Sequence, residues 1–210
     1  MIRPLPDELL IARLLPLIDH PDPAVVAAAA RAAAAAGAPC VEVGLRHPTS
    51  LDALRSAVES APIPIGAGTV TRASQVEAAL AAGASFLVSP GSGPALVDAV
   101  VASGAPWLPA AATPSEVIAL RDAGATTVKV FPAASLGGPG FVGALAAVVP
   151  GLGMVPTGGI GRDDVERYLS VRGVVAVGGT WMFPLTHGAA ADWPAVEAAV
   201  RAALDTTRPS

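Results

Sequence analysis

A short unit recurs along the chain and constrains the fold more than any other feature. Ala36-Gly37-Ala38, Ala82-Gly83-Ala84, Ser103-Gly104-Ala105, Ala123-Gly124-Ala125 and Arg172-Gly173-Val174 are each followed by a β-type run. Only glycine takes φ > 0 without a Cβ penalty, so each unit reads as a helix that ends in a left-handed cap and turns into a strand. Helix, glycine, strand is half of a βαβ unit. Strand candidates fall at 14–18, 41–45, 63–65, 86–89, 107–109, 127–131, 154–156 and 174–177, eight in all. Helical segments between them open at Asp22-Pro23, Ser50, Thr71, Thr113-Pro114 and Gly161 before Arg162-Asp163-Asp164. The strand starts recur roughly every 20 to 27 residues, and repeated right-handed crossovers close such a parallel sheet. The expected fold is α/β, a parallel eight-stranded (β/α)₈ TIM barrel. An open doubly wound sheet remains the structural alternative.

With 210 residues, 52% of them hydrophobic, the chain suits one domain spanning 1–210. A net charge of -4, with no Lys/Arg cluster, disfavours a nucleic-acid partner. The mean hydropathy of +0.57 comes largely from alanine, and the Ala-rich run after Asp22 is broken by Arg31 and ends at Gly37. It reads as a soluble helix rather than a membrane span. The first residues, interrupted by Glu8, Arg13 and Pro16, lack a secretory pattern, which makes a cytoplasmic location the expectation. Cys40 is the single cysteine, so no internal disulfide or Cys-rich metal site is expected. Only 14% of residues are charged, which suggests that part of the surface is an association face.

In a barrel the active site lies at the C-terminal ends of the strands, so polar residues inside strands carry the most information. Along Val41-Glu42-Val43-Gly44-Leu45-Arg46 the two-residue period turns Val41, Val43 and Leu45 toward the helices and Glu42, Gly44 and Arg46 inward. In Thr127-Val128-Lys129-Val130-Phe131 the same period aims Lys129 inward. Lys129 is the only lysine of the chain; the other twelve basic residues are arginines. A lysine in an apolar strand is costly unless paired or neutralised, and a neutral amine is a nucleophile for carbonyls. The alternative is a purely structural Lys129–Glu42 ion pair, although an apolar pair usually does that work at lower cost.

Glycine turns follow the last two strands: Thr157-Gly158-Gly159-Ile160 and Gly178-Gly179-Thr180. Barrels often bind phosphate there, through backbone N–H groups that glycine exposes, though a Gly-Gly pair alone can mean only a tight turn. His20, His47 and His187 lack ligand spacing and read as surface or loop residues, so no metal is expected. Trp107 and Trp181 read as packing, and no Gly-x-Gly-x-x-Gly follows a strand.

Glu42 in VEVGLR, GAGTV at 66–70, VSPG at 88–91, TPSE at 113–116, KVFPA at 129–133, PTGGI at 156–160 and GGTW at 178–181 occur in register over nearly the whole chain. In them the chain resembles the 2-keto-3-deoxy-6-phosphogluconate and 4-hydroxy-2-oxoglutarate aldolases. The resemblance implies a cofactor-free and metal-free (β/α)₈ lyase, a homotrimer, that cleaves a phosphorylated keto acid to pyruvate and glyceraldehyde 3-phosphate in the Entner–Doudoroff route. It makes Lys129 the Schiff-base residue and Glu42 the general acid/base. Arg46 and Thr69 would hold the pyruvyl carboxylate, Pro90 and Phe131 would line the site, and Gly158, Gly159, Gly179 and Thr180 would cradle the phosphate.

Four positions depart from that pattern. Gly44 stands where a threonine is usual, Ala110 where a glycine follows the strand-five proline, Asp19 where many members have arginine, and Ala134 where a glutamate is frequent. These bear on substrate identity, and Ser135-Leu136-Gly137-Gly138-Pro139 has some character of the related phosphogalactonate aldolases. Other readings are a phosphosugar isomerase, which would need a second acid/base or a metal, and a non-catalytic barrel that binds a phosphosugar.

Overall fold

Pro109 interrupts the fifth strand and sets the strand count. The computed structural model describes residues 1–185 and 191–207, among which nine strand segments appear: β1 (Leu14–Ile18), β2 (Val41–Gly44), β3 (Ile65–Gly68), β4 (Phe86–Val88), β5 (Trp107–Leu108), β6 (Ala110–Ala111), β7 (Thr127–Val130), β8 (Gly153–Pro156) and β9 (Val177–Gly179). The expectation was eight. Proline offers no N–H to a ladder, so pairing to β4 stops at Leu108 and pairing to β7 starts at Ala110. The carbonyl of Pro109 still accepts from Lys129 N at 2.8 Å.

All strand pairs are parallel. One run has the order β5-β4-β3-β2-β1-β9 and the other β6-β7-β8. Bridges Met154↔Val174 and Thr157↔Gly178 connect β8 and its following turn to the segment around β9. The result is a curled parallel sheet. Between the strands lie helices α1 (Pro23–Ala36), α2 (Ser50–Ser60), α3 (Ala73–Ala81), α4 (Pro94–Ser103), α5 (Pro114–Asp122), α6 (Gly138–Val148) and α7 (Val165–Leu169), and α8 (Trp193–Asp205) follows β9. None of them is long and apolar enough to cross a membrane.

The five glycines of the repeat all take positive φ: Gly37 at 90°, Gly83 at 93°, Gly104 at 66°, Gly124 at 100° and Gly173 at 90°. At the N-termini, Asp22 accepts from Ala24 N at 2.8 Å and Thr113 from Glu116 N at 3.3 Å. Ser50 and Thr71 are not caps. Ser50 lies inside α2 and accepts from His47 N, while Gln75 Oε1 reaches back to Thr71 N and Arg72 N ahead of α3.

Two strands sit further along the chain than their sequence suggests. The third covers Ile65–Gly68 rather than 63–65, and the last covers Val177–Gly179 rather than 174–177. Glycine is a poor strand former, but neighbouring strands need the space. A Cβ on Gly66 would lie 2.1 Å from the Phe86 ring, and one on Gly178 would lie 2.5 Å from Thr157 Oγ1.

The alternation along the strands separates two apolar clusters. Val41, Val43, Ile65, Val128 and Val130 pack with the helices, against residues such as Val26, Leu54, Val117 and Val200. On the other face Leu15, Cys40, Phe86, Val88, Leu108, Val155 and Ala176 form a smaller cluster, closed by Leu5 and Leu9 of the N-terminal segment. The interior is therefore packed at one end, and its polar residues lie toward the C-terminal ends of the strands.

Candidate active site

Strand alternation puts Lys129 and Glu42 on the inner face. Lys129 Nζ lies 3.6 Å from Glu42 Oε1, and the residues are only 3% and 1% exposed. That separation is an ion pair but not a hydrogen bond, and Oε1 has no hydrogen-bond partner among the described residues. A buried ion pair is often no more stable than apolar residues of the same volume, so stability alone is a weak reason for this one. Lys129 Nζ also sits 5.4 Å above the centroid of the Phe131 ring, within the range of a cation–π contact. The glycines of β3 make room for this pair: a Cβ on Gly68 would fall 2.0 Å from Glu42 Oε1.

Arg46, beyond the end of β2, is held from two sides. Its Nε donates to Thr69 Oγ1 at 3.1 Å and its Nη1 to Asp19 Oδ2 at 3.0 Å. His47 Nε2 lies 3.1 Å from the other oxygen of Asp19. Thr69 has φ of 57°, the left-handed region that a β-branched residue rarely adopts.

A cavity of about 350 Å³ opens beside these groups. It is lined by Arg46 and Leu17, by Phe131, Pro132 and Ser135, by Thr157 to Ile160, and by Gly179 and Thr180. Among the described residues Arg46 is the only charged side chain in that lining. Gly158 and Gly159 take φ of 97° and 72°, and a Cβ on Gly158 would lie 2.9 Å from the Phe131 ring.

The structure thus brings Arg46, Phe131, Gly158, Gly159, Gly179 and Thr180 to one cavity, with Thr69 joined through Arg46 and the Lys129–Glu42 pair next to Phe131. Pro90, half-buried after β4, is not part of that lining. Leu17, Pro132, Ser135, Thr157 and Ile160 line the cavity without having been singled out as site residues. For Pro132, Thr157 and Ile160 the signal was present in the KVFPA and PTGGI motifs.

His20 lies in the loop after β1 but is buried, and its Nδ1 accepts from Asp22 N at 3.1 Å. His187 lies outside the described residues. Trp107 is core and donates to Ser89 at 3.0 Å, while half-buried Trp181 packs against Gly179.

A curled parallel α/β sheet that sets one buried lysine against a carboxylate next to a cavity fits a carbonyl lyase of the imine-forming kind. Residues 6–199 match the sequence model of the family described as aldolase, KDPG and KHG aldolase. The chain belongs to that family, whose members are lyases. It is 38% identical over 195 residues, 92% of this chain and 89% of the relative, to the 2-dehydro-3-deoxy-phosphogluconate aldolase of Pseudomonas aeruginosa. The solved 2-keto-3-deoxy-6-phosphogluconate aldolase of Zymomonas mobilis superposes with a TM-score of 0.90 at 30% identity, covering 98% of each chain. KDPG aldolase of Legionella pneumophila superposes with a TM-score of 0.86 at 32% identity, covering 93% of this chain and 96% of that one. It was solved with pyruvate captured as a covalent carbinolamine.

Proposed function

We propose that this chain is a Schiff-base aldolase that cleaves 2-keto-3-deoxy-6-phosphogluconate to pyruvate and glyceraldehyde 3-phosphate, with 4-hydroxy-2-oxoglutarate as a second substrate. The observation that carries this reading is the buried Lys129–Glu42 pair at 3.6 Å. The carbinolamine trapped in the Legionella relative supports it. The two short segments around Pro109 count as one strand in this reading, and the bridges from Met154 and Thr157 favour closure into a single-domain (β/α)₈ barrel. The low charge fraction supports an association face, which the resemblance to the family makes that of a homotrimer, and we place the enzyme in the cytoplasm.

In the proposed reaction the amine of Lys129, having released its proton, adds to the C2 carbonyl to give a carbinolamine, which takes a proton back and loses water to an iminium. Glu42 takes the proton of the C4 hydroxyl, and the electrons of the breaking C3–C4 bond flow into the iminium to leave an enamine. Glyceraldehyde 3-phosphate departs, Glu42 returns the proton at C3, and hydrolysis frees pyruvate and the amine. Arg46 and Thr69 bind the carboxylate, Pro90 and Phe131 line the reacting end, and the turns at Gly158-Gly159 and Gly179-Thr180 take the phosphate.

Incubation with pyruvate and borohydride, followed by intact mass and peptide mapping, tests the reading. One reduced pyruvyl group on Lys129, absent from Lys129→Met, is the expected result, together with turnover of the phosphorylated keto acid. A folded protein that gains no adduct overturns it.

A further inference from the structure

We propose that Asp19 is a positioning residue for substrate binding, fixing the Arg46 guanidinium at the cavity wall, and that the missing side chain of Gly44 is what makes room for it. The inference rests on the aldolase reading and adds to it a residue with no assigned role.

Asp19 is the first residue beyond β1. The register of β1 on β2 pairs Leu17 with Glu42 and Ile18 with Val43, so the next step along both strands puts Asp19 beside Gly44. The geometry agrees: a Cβ on Gly44 would lie 3.4 Å from Asp19 Oδ1 and 3.7 Å from its Cγ. A Cβ alone is in ordinary contact there, so the space beyond it, which a longer side chain would have to share, is left to the carboxylate. Gly44 and Asp19 are one coupled feature.

Both oxygens of Asp19 are used. Oδ2 accepts from Arg46 Nη1 at 3.0 Å and Oδ1 faces His47 Nε2 at 3.1 Å. With Nε committed to Thr69 at 3.1 Å, two of the three guanidinium nitrogens are fixed. Nη2 makes no hydrogen bond to the described residues, and Arg46 is the charged wall of the cavity. A long, half-exposed arginine would otherwise have to be ordered by the substrate itself, at a cost in affinity. Asp19 meets that cost before binding. Its negative charge also offsets part of the positive charge of Arg46, so the site gains orientation rather than raw electrostatic pull.

A different role would be a staple between the loops after β1 and β2, which Thr49 Oγ1 and the Pro21 carbonyl also join. A staple would affect folding and leave substrate affinity alone. The two roles separate in steady-state kinetics with the phosphorylated keto acid and in the pyruvate dependence of borohydride trapping at Lys129.

Asp19→Ala should raise KM and the half-saturating pyruvate concentration about tenfold while kcat stays within about twofold, the loss of one charge-assisted hydrogen bond. Asp19→Asn, whose amide oxygen still accepts from Arg46, should stay within about threefold of wild type. If Asp19→Ala does not fold, Gly44→Thr provides the same test by crowding the carboxylate, and should raise KM at unchanged kcat. Wild-type KM in the folded variant, a fall in kcat alone, or an Asp19→Asn variant as impaired as Asp19→Ala overturns the proposal. A wild-type protein that traps no pyruvate would instead remove the aldolase reading beneath it.

Discussion

Gly68 and Glu42 occupy one another's space: a Cβ on Gly68 would stand 2.0 Å from Oε1, 2.5 Å from Cγ and 2.6 Å from Cδ of Glu42. The carboxylate can lie under Lys129 because β3 presents bare backbone there. Gly68→Ala should therefore push Glu42 away from Lys129. Overpacking of this kind costs about 1–3 kcal/mol, and a displacement of about 1 Å at reacting groups costs on the order of 10²-fold in rate. Gly66→Ala, which collides with the Phe86 ring at 2.1 Å, should lower stability without the selective loss of kcat. Urea denaturation and kcat on both variants check this. Wild-type kcat in Gly68→Ala would show that the placement of Glu42 does not matter.

Replacing Glu42 by Gln keeps the shape and removes the base. Proton transfer by a positioned group is worth about 10²–10⁴-fold, so kcat should fall in that range. Pyruvate should still be trapped on Lys129 by borohydride, because amine addition does not require the C4 proton to be removed. Comparing single-turnover cleavage with the trapping rate separates the two steps. Unchanged cleavage by Glu42→Gln would take Glu42 out of the mechanism.

Much of the site was legible because strand alternation is a local rule. The period of two turned Glu42 and Lys129 inward, and that is where both lie. The bounds of β1 and the positive φ of the five repeat glycines were equally local. What escaped was set by distant neighbours. The third strand was expected to end at residue 65 because glycine disfavours strands, yet Gly66, Ala67 and Gly68 continue it, since Phe86 and Glu42 need the volume. Asp19 and Arg46 are 27 residues apart, and no spacing rule links a residue after one strand to a residue after the next. Ser135 reaches the cavity only through the turn that precedes α6.

Gly159 offers a way to separate the phosphate end of the cavity from the imine end. It has φ of 72°, and a Cβ there would lie 2.8 Å from that of Ala134. Alanine at a left-handed position costs on the order of 1 kcal/mol before any clash, so Gly159→Ala should shift the turn that lines the cavity. KM for the phosphorylated substrate should rise about tenfold or more, while half-saturation by pyruvate in the trapping assay stays close to wild type. An equal change in both would mean that this turn serves the whole site and not the phosphate.

Cys40 gives the protein an alkaline limit. It is fully buried on the inner face and its Sγ donates to the Leu9 carbonyl at 3.3 Å. Burial first, and then the negative charge of Glu42, push the thiol from its ordinary value of 9.0 up to about 12. The unfolded chain gives up this proton near the ordinary value, so above it the native state binds a proton that the unfolded state lacks. Stability is then complete below about pH 9 and falls as the pH rises toward about 12, with a slope of up to about 1.4 kcal/mol per pH unit. Tyr168 is raised as well, by burial and by Asp164, but it contributes equally to a Cys40→Ala variant. Urea denaturation midpoints between about pH 8 and pH 10 should decline more steeply for wild type than for Cys40→Ala. Native Cys40 should also resist thiol reagents that label the unfolded chain. Parallel curves would show that Glu42 and burial do not hold the proton on Cys40, and would weaken the charge assigned to Glu42 in the site above it.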